Sequence, residues 1–246
     1  MQLTTSTLAE RPDLLEALLA MANPWPEFIR RDPFGDLYYA PAVLQQFGEH
    51  VLIGQDESGE VVAKAHAIPV LLAEGELPDD GWDGAIGRGL HARLTGGTPN
   101  ALAALEILVL AGKQGQGLSA QMLTAVRENA ARHGYADLVV PVRPTGKDDL
   151  REPMSRYAWR TREDGLPADP WLRVHVRAGG RIEKVAPRSM VVAGTLAEWR
   201  RWTGLPFDAS GEVEVPGALR PVHCDTWHGT ATYTEPNVWV RHRTGA

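Results

Sequence analysis

The run Ala101–Arg132, ALAALEILVLAGKQGQGLSAQMLTAVRENAAR, constrains the fold more than any other part of the 246-residue chain. It reads as a buried strand, a tight glycine turn and an amphipathic helix. The strand is the apolar run Leu105–Leu110, broken only by Glu106, and Lys113-Gln114-Gly115-Gln116-Gly117 makes the turn. After it, Leu118, Met122, Leu123 and Val126 recur at the spacing of one helical face. Arg127 and Arg132 lie towards the C-terminal end, where cations suit the helix dipole. A glycine turn feeding a helix N-terminus leaves several backbone N–H groups without partners, which is a site for an anion.

The flanking chain alternates strands and helices. Ser6 or Thr7 caps a first helix over Leu8–Met21, which Asn23-Pro-Trp-Pro ends. Glu27–Phe47 reads as a broken helical region, and Trp25, Phe28, Phe34, Tyr38 and Tyr39 cluster in and just before it. Val51–Gln55 and Val61–Val70 form a hairpin around Asp56-Glu-Ser-Gly-Glu. Leu77–Gly84 is a loop, and Ala85–Leu94 a short helix. Beyond the central helix come a strand over Ala136–Arg143, a turn-rich excursion over Pro144–Pro170 with a helical turn at Met154–Arg162, and a helix over Trp171–Arg177. A strand over Arg181–Ala193, a helix over Thr195–Thr203 and strands over Gly217–His223 and Thr230–Arg241 follow. No repeat or linker divides the chain, so the expected organisation is one α+β domain over residues 1–246.

Three anions compete for the glycine turn. A P-loop requires Gly-Lys-Ser/Thr, but Lys113 precedes the glycines, so that reading fails. Gly115-Gln-Gly117-Leu-Ser-Ala120 satisfies a dinucleotide fingerprint, with Asp137 near the spacing of a ribose carboxylate. However, it follows a hairpin, and only one strand–helix–strand unit is evident.

The third reading covers more of the chain. Gln114, Gly117 and Ser119, with Val109 five residues before the glutamine, follow the pattern Q/R-x-x-G-x-G/A, with serine at the last position. With the hairpin, the strand around Glu106 and the strand over Asp137–Val142, this resembles the GNAT superfamily of acyl-CoA-dependent N-acetyltransferases. Val174–Gly180 is similar to that family's L-Y-x-x-x-G-F pattern, with His175 at the tyrosine and Gly180 at the phenylalanine. The resemblance spans about residues 8–192, with 193–246 left as a C-terminal extension. It implies a mixed, mostly antiparallel sheet flanked by helices, and acetyl-CoA as co-substrate. Backbone groups near Val109 and Leu110 would take the pantetheine arm and polarise the thioester carbonyl. Gln114, Gly115, Gln116, Gly117, Leu118 and Ser119 would take the pyrophosphate.

In that family an amine attacks the thioester directly in a ternary complex. Glu106 is the candidate general base, being the one charge in an apolar strand. His175 is the candidate acid for the thiolate, on the ground that imidazole titrates in the right range, with Tyr157 as alternative. The aromatic segment Trp25–Tyr39 and the Gly81–Trp82 loop are the expected acceptor pocket. His223, Cys224 and His228 fit no zinc spacing, and no metal is expected. Trp199, Trp202, Trp227 and Trp239 read as core or interface anchors.

Composition narrows the partners. A net charge of −6 without any Lys/Arg-rich block argues against nucleic acid. A single cysteine fits a reducing cytoplasm, and no apolar run is long enough for a bilayer. The sequence therefore points to a cytoplasmic small-molecule N-acetyltransferase, monomer or homodimer. A non-catalytic CoA-binding protein of the same fold and a nicotinamide-dependent oxidoreductase are the competing readings.

Overall fold

A computed structural model of the chain describes residues 1–73 and 75–245. The elements run β1 (Thr4–Thr7), α1 (Leu15–Ala20), α2 (Pro33–Tyr38), α3 (Pro41–Gln46), β2 (Val51–Gln55), β3 (Val61–Val70), α4 (Gly81–Thr95) and β4 (Ala101–Val109). They continue through α5 (Leu118–Arg132), β5 (Asp137–Val142), α6 (Met154–Tyr157), α7 (Pro170–Arg177) and β6 (Arg181–Thr195). The chain closes with α8 (Leu196–Thr203), β7 (Gly211–Val213), β8 (Val222–Asp225) and β9 (Thr230–Arg243).

All nine strands join one sheet in the order β1-β2-β3-β4-β5-β9-β8-β7, with β6 also pairing to β9. Among the described residues, only β4 and β5 pair in parallel, as the intervening helix α5 requires. Strand alternation feeds two cores. Ile53 and Ala103 face one with Leu18, Tyr38, Ile86 and Trp199. Their neighbours Leu52 and Leu102 face the other with Leu123 and Val126 of α5. This double coverage is why β3 is buried along nearly its whole length rather than at alternate positions.

The residues beyond 192, read from sequence as an extension, supply the long strand β9. It lies against β5 through Val142↔Val238 to Asp137↔Arg243, and against β6 along most of its length. Of the four late tryptophans, Trp199 and Trp239 are buried, Trp202 packs against that core, and Trp227 is exposed.

The expected first helix over Leu8–Met21 is corrected to a turn over residues 8–10, a 3-10 turn at Pro12–Leu14 and the short α1, with β1 preceding them. Thr4-Thr-Ser-Thr7 pairs with β2, and the Leu8 N–H still donates to the Val51 carbonyl. Pro12 and the bond from Leu8 to β2 therefore outweigh the leucine spacing. The Leu77–Gly84 loop is also shorter than expected, because α4 begins at Gly81. Four glycines lower the helix propensity of GWDGAIGRGLHARLT, and packing overrides it. At Gly89 a Cβ would come within 2.4 Å of Ile68, so glycine there lets the helix press onto β3.

Where α2 meets α4, two carboxyls are buried together. Asp32 caps α2 by accepting from the Gly35 N–H at 2.9 Å, and Asp83 accepts from the Val191 N–H at 2.9 Å. Burial, then the partner's charge, holds Asp83 well above the usual carboxylate range, and burial raises Asp32 as well. The folded chain therefore keeps a proton that the unfolded chain releases. The stability this provides is full at low pH and is lost as pH rises through the folded pKa values. Asp83→Asn retains an acceptor for Val191 and removes one charge. It is expected to match wild type near pH 5 and to gain about 1–3 kcal/mol near pH 9, read by urea unfolding. An equal shift at both pH values would show that the pair does not share a proton.

Candidate functional site

Parallel pairing between β4 and β5 is confined to Leu102↔Leu138 and Ala103↔Val139, after which the strands diverge. The opening is part of a cavity of about 890 Å³, lined by Ala104–Ile107 and Val109 of β4, Val140–Arg143, and residues of the glycine turn and α2. One edge of β4 is thereby left without a strand partner. The Leu110 N–H is taken by the Val62 carbonyl of β3, so alternation turns the backbone groups of Val109 and Ile107 towards the cleft. The expectation for Leu110 is corrected accordingly, because its N–H is already used.

A bulge sets the chemistry of this edge. His66 pairs with Glu106 but Ala67 pairs with Ala104, which leaves Leu105 unpaired on β4. Without the extra residue, alternation from Ala103 would send Glu106 to the α5 face. With it, Glu106 points to the aromatic side. Trp25 Nε1 donates to Glu106 Oε1 at 2.7 Å, while Lys64 Nζ and His66 Nε2 stand 4.0 and 3.8 Å from Oε2. Burial pushes His66 down to about 3, so the neighbouring cation is Lys64. The bulge carbonyl, Leu105 O, accepts from Trp82 Nε1 at 2.9 Å, and the Trp82 ring stacks on Tyr39.

A second carboxylate, Glu235 of β9, lines the same cavity but is saturated. Arg143 Nε donates to both of its oxygens at 3.1 and 2.9 Å, Tyr233 Oη donates to one and Asn237 Nδ2 to the other. These four bonds occupy the lone pairs of both oxygens. Glu106 accepts from Trp25 Nε1 and from the Tyr39 hydroxyl, has no guanidinium partner among the described residues, and lines the cavity.

At the other end, Gly115 and Gly117 adopt φ of +78° and +76°, and a Cβ at either would meet nothing within 4 Å. Among the described residues, no hydrogen bond within the chain uses the N–H groups of Gly115–Ala120. Gln114 Nε2 donates to the Val109 carbonyl at 3.3 Å, tying the turn to the end of β4. These groups fit a phosphate: open space, free donors and the positive end of a helix. Gly115, Gly117, Leu118 and Ser119 line the cavity, whereas Gln116 is exposed and lies outside the lining.

The candidate acids stand differently. His175 lines the cavity wall but is fully buried, with Nδ1 3.0 Å from His242 Nε2. Burial pushes its ring down to about 3, so the expected titration near neutrality is corrected to a neutral imidazole. Tyr157 lies outside the cavity lining, and its hydroxyl donates to Asp169 Oδ2 at 3.0 Å. Asp169 also caps α7 and accepts from the Thr145 and Gly146 N–H groups, so this tyrosine pins the excursion.

Of the expected acceptor aromatics, Trp25, Tyr39 and Trp82 line the cavity, joined by Asp36, Arg30 and Lys64. Phe28 and Tyr38 lie in the core, and Phe34 is exposed. Lys64 and His66 went unnoticed in the sequence, although they alternate in β3 across from Leu108 and Glu106. Glu235 and Asn237 carried no sequence signal.

Asp137, the expected ribose ligand of the dinucleotide reading, pairs with Arg241 at 2.6 Å and Arg243 at 3.1 Å. It also sits at the N-terminal end of the β4–β5 pair, whereas the glycine turn follows the C-terminal end. His223 is exposed and Cys224 buried, the opposite facings that strand alternation dictates.

No family model matches the chain. It is 33% identical over 267 aligned residues to the arginine N-acetyltransferase AvaD of Aspergillus versicolor, covering 96% of this chain and 92% of that protein. Among solved structures, the loading GNATL domain of CurA from Lyngbya majuscula superposes with a TM-score of 0.62 at 16% identity, covering 100% and 99% of the two chains. The GphF GNAT-like decarboxylase in complex with isobutyryl-CoA gives 0.56 at 18% identity, covering 99% and 100%. The two structural likenesses concern the fold.

Proposed function

The chain belongs to the GNAT superfamily of acyl-CoA-dependent N-acetyltransferases, and on that premise we propose that it acetylates the α-amine of arginine from acetyl-CoA. The observation that carries this reading is the placement of Glu106, in the cleft between the free glycine turn and the aromatic end of one cavity. The turn Gln114–Ser119 receives the pyrophosphate, and the open edge of β4 receives the pantetheine arm. An N–H of Ile107 or Val109 then faces the thioester oxygen.

The amine lone pair attacks the thioester carbon, its proton passes to Glu106, and the C–S bond breaks. The thiolate takes its proton from water, since the neutral His175 and the committed Tyr157 are poor acids. A guanidinium is fully protonated at neutral pH and a weak nucleophile, so the reacting nitrogen is the α-amine. Asp36 and the faces of Trp25, Tyr39 and Trp82 suit the cationic end of arginine, and Arg30 its carboxylate. Among the described residues, no helix is long and apolar enough to cross a membrane.

Thiol release from acetyl-CoA should be fastest with arginine, slower with agmatine and absent with Nα-acetylarginine. Turnover of the Nα-blocked compound would move the reaction to the side chain. Equal rates with uncharged amines would remove arginine as the acceptor.

A further inference from the structure

Away from the cavity, Glu49, His50 and His133 bring three coordinating atoms within 4.8 Å of one another. Glu49 and His50 lie in the 3-10 turn that enters β2, and His133 caps the C-terminal end of α5. The two imidazoles meet edge to face, with centroids 4.6 Å apart. Their tautomers are fixed by one residue, the fully buried Asn129.

Asn129 Nδ2 donates to the Glu49 carbonyl at 2.9 Å, which identifies Oδ1 as the atom 2.9 Å from His50 Nδ1. An amide oxygen only accepts, so the hydrogen of the neutral His50 ring is on Nδ1 and the lone pair on Nε2. His133 Nδ1 lies 2.9 Å from the Asn129 carbonyl, with the same consequence. Both rings thus have Nδ1–H anchored on a carbonyl and Nε2 left as a ligand atom, the arrangement that orients metal-binding histidines. The reaction described above uses none of these groups.

We propose that Glu49, His50 and His133 bind one divalent transition-metal ion of the zinc class. Two imidazoles and a carboxylate suit Zn²⁺ better than Mg²⁺ or Ca²⁺, which favour all-oxygen sets. Zinc–ligand bonds of about 2.0–2.2 Å place tetrahedral ligand atoms about 3.3 Å apart, so the cluster must contract. His50 is held in the interior while the Glu49 and His133 side chains are 71% and 32% exposed, so those two supply the movement. The carbonyl end of α5 adds a favourable field for a cation. The ion would clip the end of α5 to the start of β2. It would lie about 22 Å along the helix from the glycine turn, and so would stabilise the fold without entering acyl transfer.

The test uses the full chain, stripped with EDTA and titrated with ZnCl₂ by calorimetry. CoCl₂ absorption reports coordination, and thermal unfolding reports stability. One equivalent of zinc should bind, raise Tm and leave acetyl transfer within about twofold. His133→Gln and Glu49→Gln change solvent-facing side chains and should each weaken zinc at least about tenfold. His228→Ala, at an exposed histidine paired with Asp225, should leave zinc binding as in wild type. Absence of saturable zinc binding, or wild-type affinity in the Glu49→Gln/His133→Gln double variant, would overturn the proposal.

Discussion

Glutamine in place of Glu106 is expected to lower kcat for amine acetylation by about 10²–10⁴-fold, the usual contribution of a positioned general base. The replacement preserves shape, and its amide oxygen still accepts from Trp25 Nε1, so the fold and the neighbouring aromatics should not move. The KM for acetyl-CoA should stay within about twofold, because the proposed phosphate site is the glycine turn at the other end of the cavity. Activity lost at neutral pH should partly return as pH rises towards the amine's own pKa, where the free base forms without help. His175→Ala makes the contrast. Burial keeps that ring neutral across the working range, so its loss should alter packing and stability without removing a limb of the pH–rate profile. A Glu106→Gln enzyme within tenfold of wild type would transfer the base role elsewhere, and the saturated Glu235 would be a poor successor.

The end of the site proposed for the pyrophosphate was legible in the sequence, and the end proposed for the acceptor only in part. Gln114, Gly115, Gly117 and Ser119 fall within six residues, and the role proposed for them follows from local backbone geometry, which a motif encodes. Glu106 was legible as a charge in an apolar strand. Its direction was not, because that depends on a one-residue bulge at Leu105 visible only in the pairing with β3. Burial of His175 escaped detection for a related reason. Its partner His242 is 67 residues away in a strand that closes the sheet. The Arg143–Glu235 network likewise joins β5 to β9 across 92 residues. At the N-terminus a leucine spacing suggested one helix over Leu8–Met21, whereas only Leu15–Ala20 is α-helical and Leu8 bonds to the start of β2. Local chemistry could be read, and long-range registry could not.

Valine at Gly117 should separate binding of CoA from stability of the fold. With φ at +76°, the position lies in the left-handed region that β-branched residues strongly avoid. The added Cβ would meet nothing within 4 Å, so the strain is relieved by turning the exposed loop rather than by disturbing a core. The stability cost should be about 1–3 kcal/mol, the scale of local backbone strain. Turning the loop, however, re-aims the N–H groups of Gly115–Ser119. Losing two charge-assisted bonds to a pyrophosphate, at about 1.5–3 kcal/mol each, corresponds to roughly 10²–10⁴ in affinity. Gly115→Ala, at a φ of +78°, should show the same direction with a smaller loss. The decisive comparison uses acetyl-pantetheine, which carries the thioester and the arm but lacks the pyrophosphate. Wild type and Gly117→Val should turn it over at similar kcat/KM, because that substrate ends before reaching the turn. If the variant lost the short substrate as completely as acetyl-CoA, the defect would lie in the β4 cleft, and the glycine turn would not be the phosphate site.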